Sequence, residues 1–199
     1  MKNTEKNVSF LPLTKNRWKD FETLFGEKGA CGGCWCMHWR IKKSEFEKTK
    51  GEGNKKMMKQ LVDKNDVPGL LMYAGKKAIG WCSVAPRENF LLLENSRVLS
   101  RVDDQQVWSI VCFFIEKEYR RKGLSQSFLK YTIDYCRKRG AKIIEAYPLD
   151  VKDKNYPGVF AFTGFYPTFV KARFAEVERR SETRPIMRKI LREEKKETS

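Results

Sequence analysis

The chain has 199 residues, of which 41% are hydrophobic and 33% charged, which suits a single soluble domain long enough to bury a sizeable core. Lys and Arg number 41 against 25 for Asp and Glu, a formal charge of +16, and such a surplus draws anions. No apolar stretch approaches the roughly 20 residues that span a bilayer, and Met1-Lys2-Asn3-Thr4-Glu5 leads into no signal-peptide core, so a cytoplasmic protein without a membrane partner is expected.

Residues 8–13 suit a first strand, and residues 17–25 carry Trp18, Phe21, Leu24 and Phe25 at helical spacing. Next comes Cys31-Gly32-Gly33-Cys34-Trp35-Cys36-Met37-His38-Trp39-Arg40. Three thiols and the only histidine make a Cys3His zinc site conceivable, yet all four ligands would come from eight consecutive residues. Structural zinc sites draw on separated ligand pairs, so no metal is expected. Nor does a thioredoxin-like strand precede Cys31-x-x-Cys34. The segment reads as a glycine-hinged loop whose Trp35, Met37 and Trp39 face apolar neighbours. Cys82, Cys112 and Cys136 lie in apolar patterns and read as core residues of a reduced compartment.

Residues 44–64 are lysine-rich and interrupted by Gly51-Glu52-Gly53, which predicts two helical pieces. Residues 70–73 and 78–84 form a hairpin pattern around Ala74-Gly75-Lys76-Lys77, and Pro86 ends its second strand. Residues 87–106 then read as a polar connection in which Phe90, Leu91, Leu92 and Leu93 form one short helical turn.

The run Val107-Trp108-Ser109-Ile110-Val111-Cys112-Phe113-Phe114-Ile115 is rich in β-branched and aromatic residues and reads as a buried strand. After Glu116-Lys117-Glu118-Tyr119 and the basic turn Arg120-Arg121-Lys122-Gly123, Leu124, Phe128, Leu129, Thr132, Ile133 and Cys136 recur near helical spacing. The helix stops where Gly140 can cap it, with Arg137, Lys138 and Arg139 at the negative end of its dipole. The unpaired amides that open such a helix attract an anion. Gly123 lets a phosphate reach the backbone, and the arginines and Lys122 add charge. A diphosphate fits this arrangement. The three spaced glycines of a dinucleotide site and the Gly-Lys-Ser/Thr of a triphosphate loop are both missing.

Beyond it, residues 142–147 form a further strand stopped by Pro148, followed by a loop through Asp150, Asp153, Asn155, Pro157 and Gly158. Residues 166–172 suit a short helix with Pro167 in its first turn. Residues 174–180 and 185–191 look like a closing antiparallel pair, and 192–199 is a charged tail. The fold class is α/β (α+β): a mixed, mostly antiparallel sheet with helices on both faces, in a single domain over 1–199.

The turn Arg120-Arg121-Lys122-Gly123-Leu124-Ser125, led in by Ile115-Glu116-Lys117-Glu118-Tyr119, resembles the Arg/Gln-x-x-Gly-x-Gly/Ala motif of the GNAT N-acetyltransferase superfamily. Ser125 departs from the final Gly/Ala, and Lys117 from the usual proline. The Cys-rich segment is similar to a Gly-Cys-Trp-Cys-Met stretch in one poorly characterised branch of that superfamily. The resemblance implies acetyl-coenzyme A as co-substrate, with its diphosphate on Arg120, Arg121, Lys122, Gly123, Leu124, Ser125 and Gln126. Its pantetheine arm would pair with the strand at Phe113, Phe114 and Ile115. It also implies an amine acceptor, small molecule or protein, beside Trp35 and His38, attacking the thioester directly without a metal.

Many members of the superfamily carry a catalytic tyrosine in Leu-Tyr-x-x-x-Gly-Phe. The matching stretch here, Thr168-Phe169-Val170-Lys171-Ala172-Arg173-Phe174, has Phe169 in its place and Arg173 for the glycine. Tyr166 and Tyr147 become the candidate acids, and Glu145, with Asp150 beyond it, the candidate base. The alternative function is a catalytically weak acyl-coenzyme A sensor or interaction module. A nucleic-acid binder is less expected, because the basic residues are scattered and match no nucleic-acid signature.

Overall fold

A computed structural model describes residues 8–151 and 162–191. Within them the apolar runs join one seven-stranded sheet. Its order is β1 (Val8–Pro12), β2 (Gly69–Ala74), β3 (Lys77–Pro86), β4 (Trp108–Ile115), β5 (Ile143–Ala146), β7 (Ile186–Ile190) and β6 (Ala175–Glu178). Neighbours pair antiparallel except β4 and β5, which run parallel. That parallel pair is joined by α5 (Leu124–Lys138), the crossover helix such a connection requires. The remaining helices are α1 (Trp18–Phe25), α2 (Lys43–Thr49), α3 (Glu52–Asp63), α4 (Leu91–Glu94) and α6 (Tyr166–Lys171). Among the described residues none is long and apolar enough to cross a membrane.

Alternation along the strands divides the core between two faces. On β2, Leu70 and Met72 join Leu124, Phe128, Leu129 and Ile133 of α5, while Leu71 and Tyr73 join Phe21 and Phe25 of α1 and Met58 and Val62 of α3. Each such side chain stabilises the fold by about 1.5–3 kcal/mol relative to leaving it in water. α5 ends as its sequence predicts: Gly140 has φ +82°, and the Ala141 N–H reaches the Cys136 carbonyl at 3.0 Å to close the cap.

The elements fall where the patterns place them, with shifted ends: β3 starts one residue earlier and ends two later than the hairpin pattern indicates, and Pro167 does sit in the first turn of α6. The stretch 87–106 departs most from its expected character. It reads as an ordinary polar connection, but its Arg87 is only 1% exposed and anchors the segment to the sheet. The expected loop residues Asp153, Asn155, Pro157 and Gly158, and the charged tail 192–199, lie outside the described residues.

Candidate active site

The site begins with an irregularity in β4. β4 pairs with β5 only over Trp108↔Ile144, Ser109↔Glu145 and Ile110↔Ala146. On its other edge Ser83↔Cys112 is followed by Val84↔Ile110, so Val111 is one residue too many and a bulge forms. The bulge breaks the alternation. Ile110 and Phe113 pack on the α5 side, whereas Val111 and Cys112 both turn to the opposite face. Beyond Ile110 the edge of β4 leaves β5. The Phe113 N–H there donates to the Phe162 carbonyl at 2.6 Å, and the Ile115 carbonyl accepts from Nε of Arg120 at 2.7 Å.

The gap leads into the basic turn. Lys117–Tyr119 forms a single 3-10 turn, after which Arg121 has φ +60° and Gly123 φ +79°, and α5 opens at Leu124. The left-handed Arg121 costs about 1–2 kcal/mol, a strain that a glycine at that position would relieve. Arg121, Lys122 and Gly123 are exposed, Ser125 and Gln126 half-buried and Leu124 buried. Gln126 donates from Nε2 to the Thr168 carbonyl at 2.9 Å, fastening α6 to the first turn of α5. Amides opening a fifteen-residue helix, a left-handed glycine and exposed basic side chains thus converge on one surface.

Across the sheet, residues 26–41 form a loop of left-handed turns, with positive φ at Gly29, Ala30, Gly32, Gly33, Trp35 and Cys36. The Gly33 carbonyl accepts from the Gly51 N–H and from Asn54 Nδ2, each at 3.0 Å, which docks the loop on the break between α2 and α3. This backbone path turns Trp35 inward. The indole is 2% exposed and stacks on Phe25 with centroids 5.7 Å apart, so it packs against apolar neighbours as its own setting predicts and not beside an acceptor as the resemblance implies. His38 is half-buried, with its ring edge-on to Trp39, Phe46 and Phe162 at 5.0, 5.3 and 6.2 Å. Burial lowers the His38 pKa below its ordinary value, which keeps the imidazole neutral at pH 7. Phe162 therefore links His38 to the gap beside β4.

The thiols of the loop separate. Cys31 is exposed, Cys34 half-buried and Cys36 buried. Among the described residues no three His, Cys, Asp or Glu side chains converge as metal ligands would. Nε1 of Trp81 donates to Sγ of Cys36 at 3.2 Å.

Glu145 and Tyr147, the sequence candidates for base and acid, lie together beneath the 87–107 segment rather than at the gap. Glu145 Oε1 accepts from Nε of Arg188 at 2.7 Å, and Oε2 accepts from the Tyr147 hydroxyl at 2.7 Å and Nη1 of Arg87 at 3.1 Å. The Tyr147 hydroxyl also lies 2.8 Å from Ser109 Oγ. Arg87 reaches on to the Leu99 carbonyl at 2.6 Å, and Arg188 to Asp103 Oδ1 at 2.9 Å. With Glu145 1% and Tyr147 0% exposed, neither presents an atom to a solvent-borne amine. Burial pushes the Tyr147 phenol well above its usual range.

Tyr166 opens α6 with its ring under the Arg179 guanidinium at 5.7 Å; burial, then the neighbouring Glu176 carboxylate, raise its pKa. Asp150 pairs with the same Arg179 at 2.8 Å. Phe169 is 1% exposed and packs edge-on to Phe174 at 5.3 Å. The bulge, the Glu145 network and the positions of Phe162 and Arg87 were not read from the sequence. The glutamate set between Ile144 and Ala146 was the available signal for the network.

Residues 35–164 match the acetyltransferase (GNAT) family, a span covering more than half of the chain. The chain belongs to that family. Among solved structures it is similar to the PaiA N-acetyltransferase of Thermoplasma acidophilum in complex with coenzyme A, at 14% identity and TM-score 0.52 over 92% of this chain and 99% of that one. It is also similar to the ribosomal-protein-S5-alanine acetyltransferase of Vibrio fischeri, at 16% identity and TM-score 0.53 over 92% and 93%. A third is the arylalkylamine N-acetyltransferase-like 5b of mosquito, at 12% identity and TM-score 0.56 over 92% and 100%. At these identities the likeness concerns the fold. The search of curated proteins gave no match.

Proposed function

We propose that the chain transfers an acetyl group from acetyl-coenzyme A to a primary amine by direct attack of the amine on the thioester. The observation that carries this is the continuity of one surface, from the bulged and splayed end of β4 into the left-handed, glycine-opened turn at the start of α5. There the amides of residues 122–126 hold the diphosphate, with Arg121 and Lys122 supplying charge. Phe113 and Ile115 offer an N–H and a carbonyl to the pantetheine arm. Both groups are now engaged, by Phe162 and Arg120, so binding exchanges those two bonds for new ones.

On the acceptor side His38 takes the proton of the attacking amine, because a neutral imidazole beside the gap is in the accepting state. Trp39 adds an indole N–H that is buried and without an acceptor among the described residues, available to a polar group of the acceptor. Glu145 and Tyr147 position β4 against β5 rather than exchange protons, and Tyr166 holds α6 against Arg179. The acceptor is a small-molecule or protein amine, and a cytoplasmic location remains part of the proposal.

The test is thiol release from acetyl-coenzyme A with a panel of primary amines. Turnover that needs both an amine and His38 supports the reading; tight binding with no turnover on any amine rejects it. That second result would instead favour the sensor, a reading that the missing hydroxyl at Phe169 supports.

A further inference from the structure

One group at the acceptor face has no part in the acyl-transfer reading: the paired sulfur atoms of Cys36, in the 26–41 loop, and Cys112, on the bulge of β4. Two elements far apart in sequence bring them together. Sγ of Cys36 accepts from the Trp81 indole at 3.2 Å, and Cys112 packs against the same buried cluster, close enough for its thiol to act on the Cys36 sulfur. Ser83, opposite Cys112 in the strand pair, and Arg40 complete the surroundings. Arg40 bonds neutral acceptors, the Pro68 carbonyl at 2.9 Å and Ser83 Oγ at 3.4 Å, so its charge is left to act on the sulfur. The inward aim of Cys36 is held by strained, left-handed backbone at two non-glycine residues, φ +45° at Trp35 and +58° at Cys36.

Buried thiols are ordinarily inert, and the molecule supplies its own comparison. Burial pushes Cys82 up to about 12 and Cys136 well above the usual thiol range, with no cation among the described residues drawing either one down. Cys36 is equally buried but is drawn down to about 7, first by the Cys112 thiol and then by Trp81, Arg40 and Ser83. The same interaction holds the proton on Cys112. The groups facing the pair are Trp81 and Ser83 from β3, with Arg40 and Cys34 from the loop; Asp66 acts on Arg40 from beyond them, and Cys82 lies on the far face of the sheet.

We propose that Cys36 and Cys112 are a redox-active dithiol that a hydroperoxide oxidises to a disulfide. The Cys36 thiolate attacks the peroxide, the O–O bond breaks, and the sulfur becomes a sulfenic acid while the released oxygen leaves as water. The Cys112 sulfur then attacks the Cys36 sulfur; the S–S bond forms and the sulfenic hydroxyl departs with the Cys112 proton as a second water. Two thiols and one hydrogen peroxide give one disulfide and two waters. Cys112 is half-buried and Cys36 5% exposed, so of the two residues Cys112 is the nearer to solvent. The bond would tie the loop to the strand. The inference rests on the thiols alone and stands apart from the acyl-transfer reading.

The test treats the full chain with hydrogen peroxide, without coenzyme, and maps peptides under non-reducing conditions. A Cys36–Cys112 linkage reversed by dithiothreitol is expected, forming faster as pH rises to the Cys36 pKa and levelling above it. In Cys112→Ser the reaction should halt at a Cys36 sulfenic acid that dimedone captures, while Cys34→Ser should leave the linkage unchanged. A bridge within residues 31–36, or a Cys36 that stays reduced in the wild type and unlabelled in folded Cys112→Ser, would overturn the assignment. Should Cys112→Ser fail to fold, the wild-type map alone decides.

Discussion

Replacing Glu145 by glutamine removes one negative charge from between two buried guanidinium groups. The carboxylate takes Nε of Arg188 on one oxygen and Arg87 and the Tyr147 hydroxyl on the other, at 1% exposure. A glutamine of the same shape has a single oxygen, so its amide hydrogens must face one of these donors. Breaking a buried ion pair costs about 3–5 kcal/mol. Arg87 keeps Glu94 at 2.5 Å and Arg188 keeps Asp103, both partly solvated, so the low end applies: about 3 kcal/mol. For a chain of this length that lowers Tm by about 6–12 °C. Urea unfolding followed by circular dichroism reads the stability, and thiol release at a temperature where the variant is folded reads the activity. The positioning role predicts a large stability loss with turnover of the folded protein within a few-fold of wild type. A loss below about 1 kcal/mol with turnover down more than about 100-fold would return Glu145 to the chemistry and refute the reasoning.

His38→Gln should lower kcat by about 100-fold or more with the fold intact, as steady-state kinetics would read; unchanged kcat would remove His38 from the proton path. Because burial depresses the His38 pKa, wild-type kcat/KM should hold as pH falls through 6.5, and its acid limb should lie below that value. Asp103 is lowered to about 2, first by its hydrogen bond from Arg188. Its contribution to stability is therefore complete above its ordinary pKa of 3.8 and is lost as pH falls toward 2; equilibrium unfolding of wild type and Asp103→Asn should converge in that window. At Gly33, φ is +70° and an added Cβ would stand 2.4 Å from the Gly51 nitrogen. Gly33→Ala should cost about 1–3 kcal/mol in urea unfolding and weaken protection of the Gly51 amide in hydrogen exchange.

The strands and the crossover helix were legible because their signals are local: a β-branched run of strand length, helical recurrence from Leu124 to Cys136, and Gly140 at the cap. The basic, glycine-containing turn that opens α5 was legible for the same reason. What escaped depends on partners distant in the chain. Val111 looks like any strand residue until its pairing with β3 shows that it has none. Trp35 reads as an apolar loop residue, but the left-handed backbone at 35–36 that turns it into the core has no local signal. Arg87, Glu145 and Arg188 lie 43 to 101 residues apart in sequence, and only the sheet brings their charges into contact. The apolar neighbours Ile144 and Ala146 hint that Glu145 is enclosed, but no local pattern names the arginines that pair with it.

Calorimetric titration of acetyl-coenzyme A into the wild type and Gly123→Glu tests the diphosphate grip most directly. A carboxylate at Gly123 faces the opening amides of α5 and repels the phosphates, so the variant should keep the wild-type circular dichroism spectrum and bind about 100-fold more weakly or worse, on the order of 3 kcal/mol. Equal affinity in the two proteins would contradict the account.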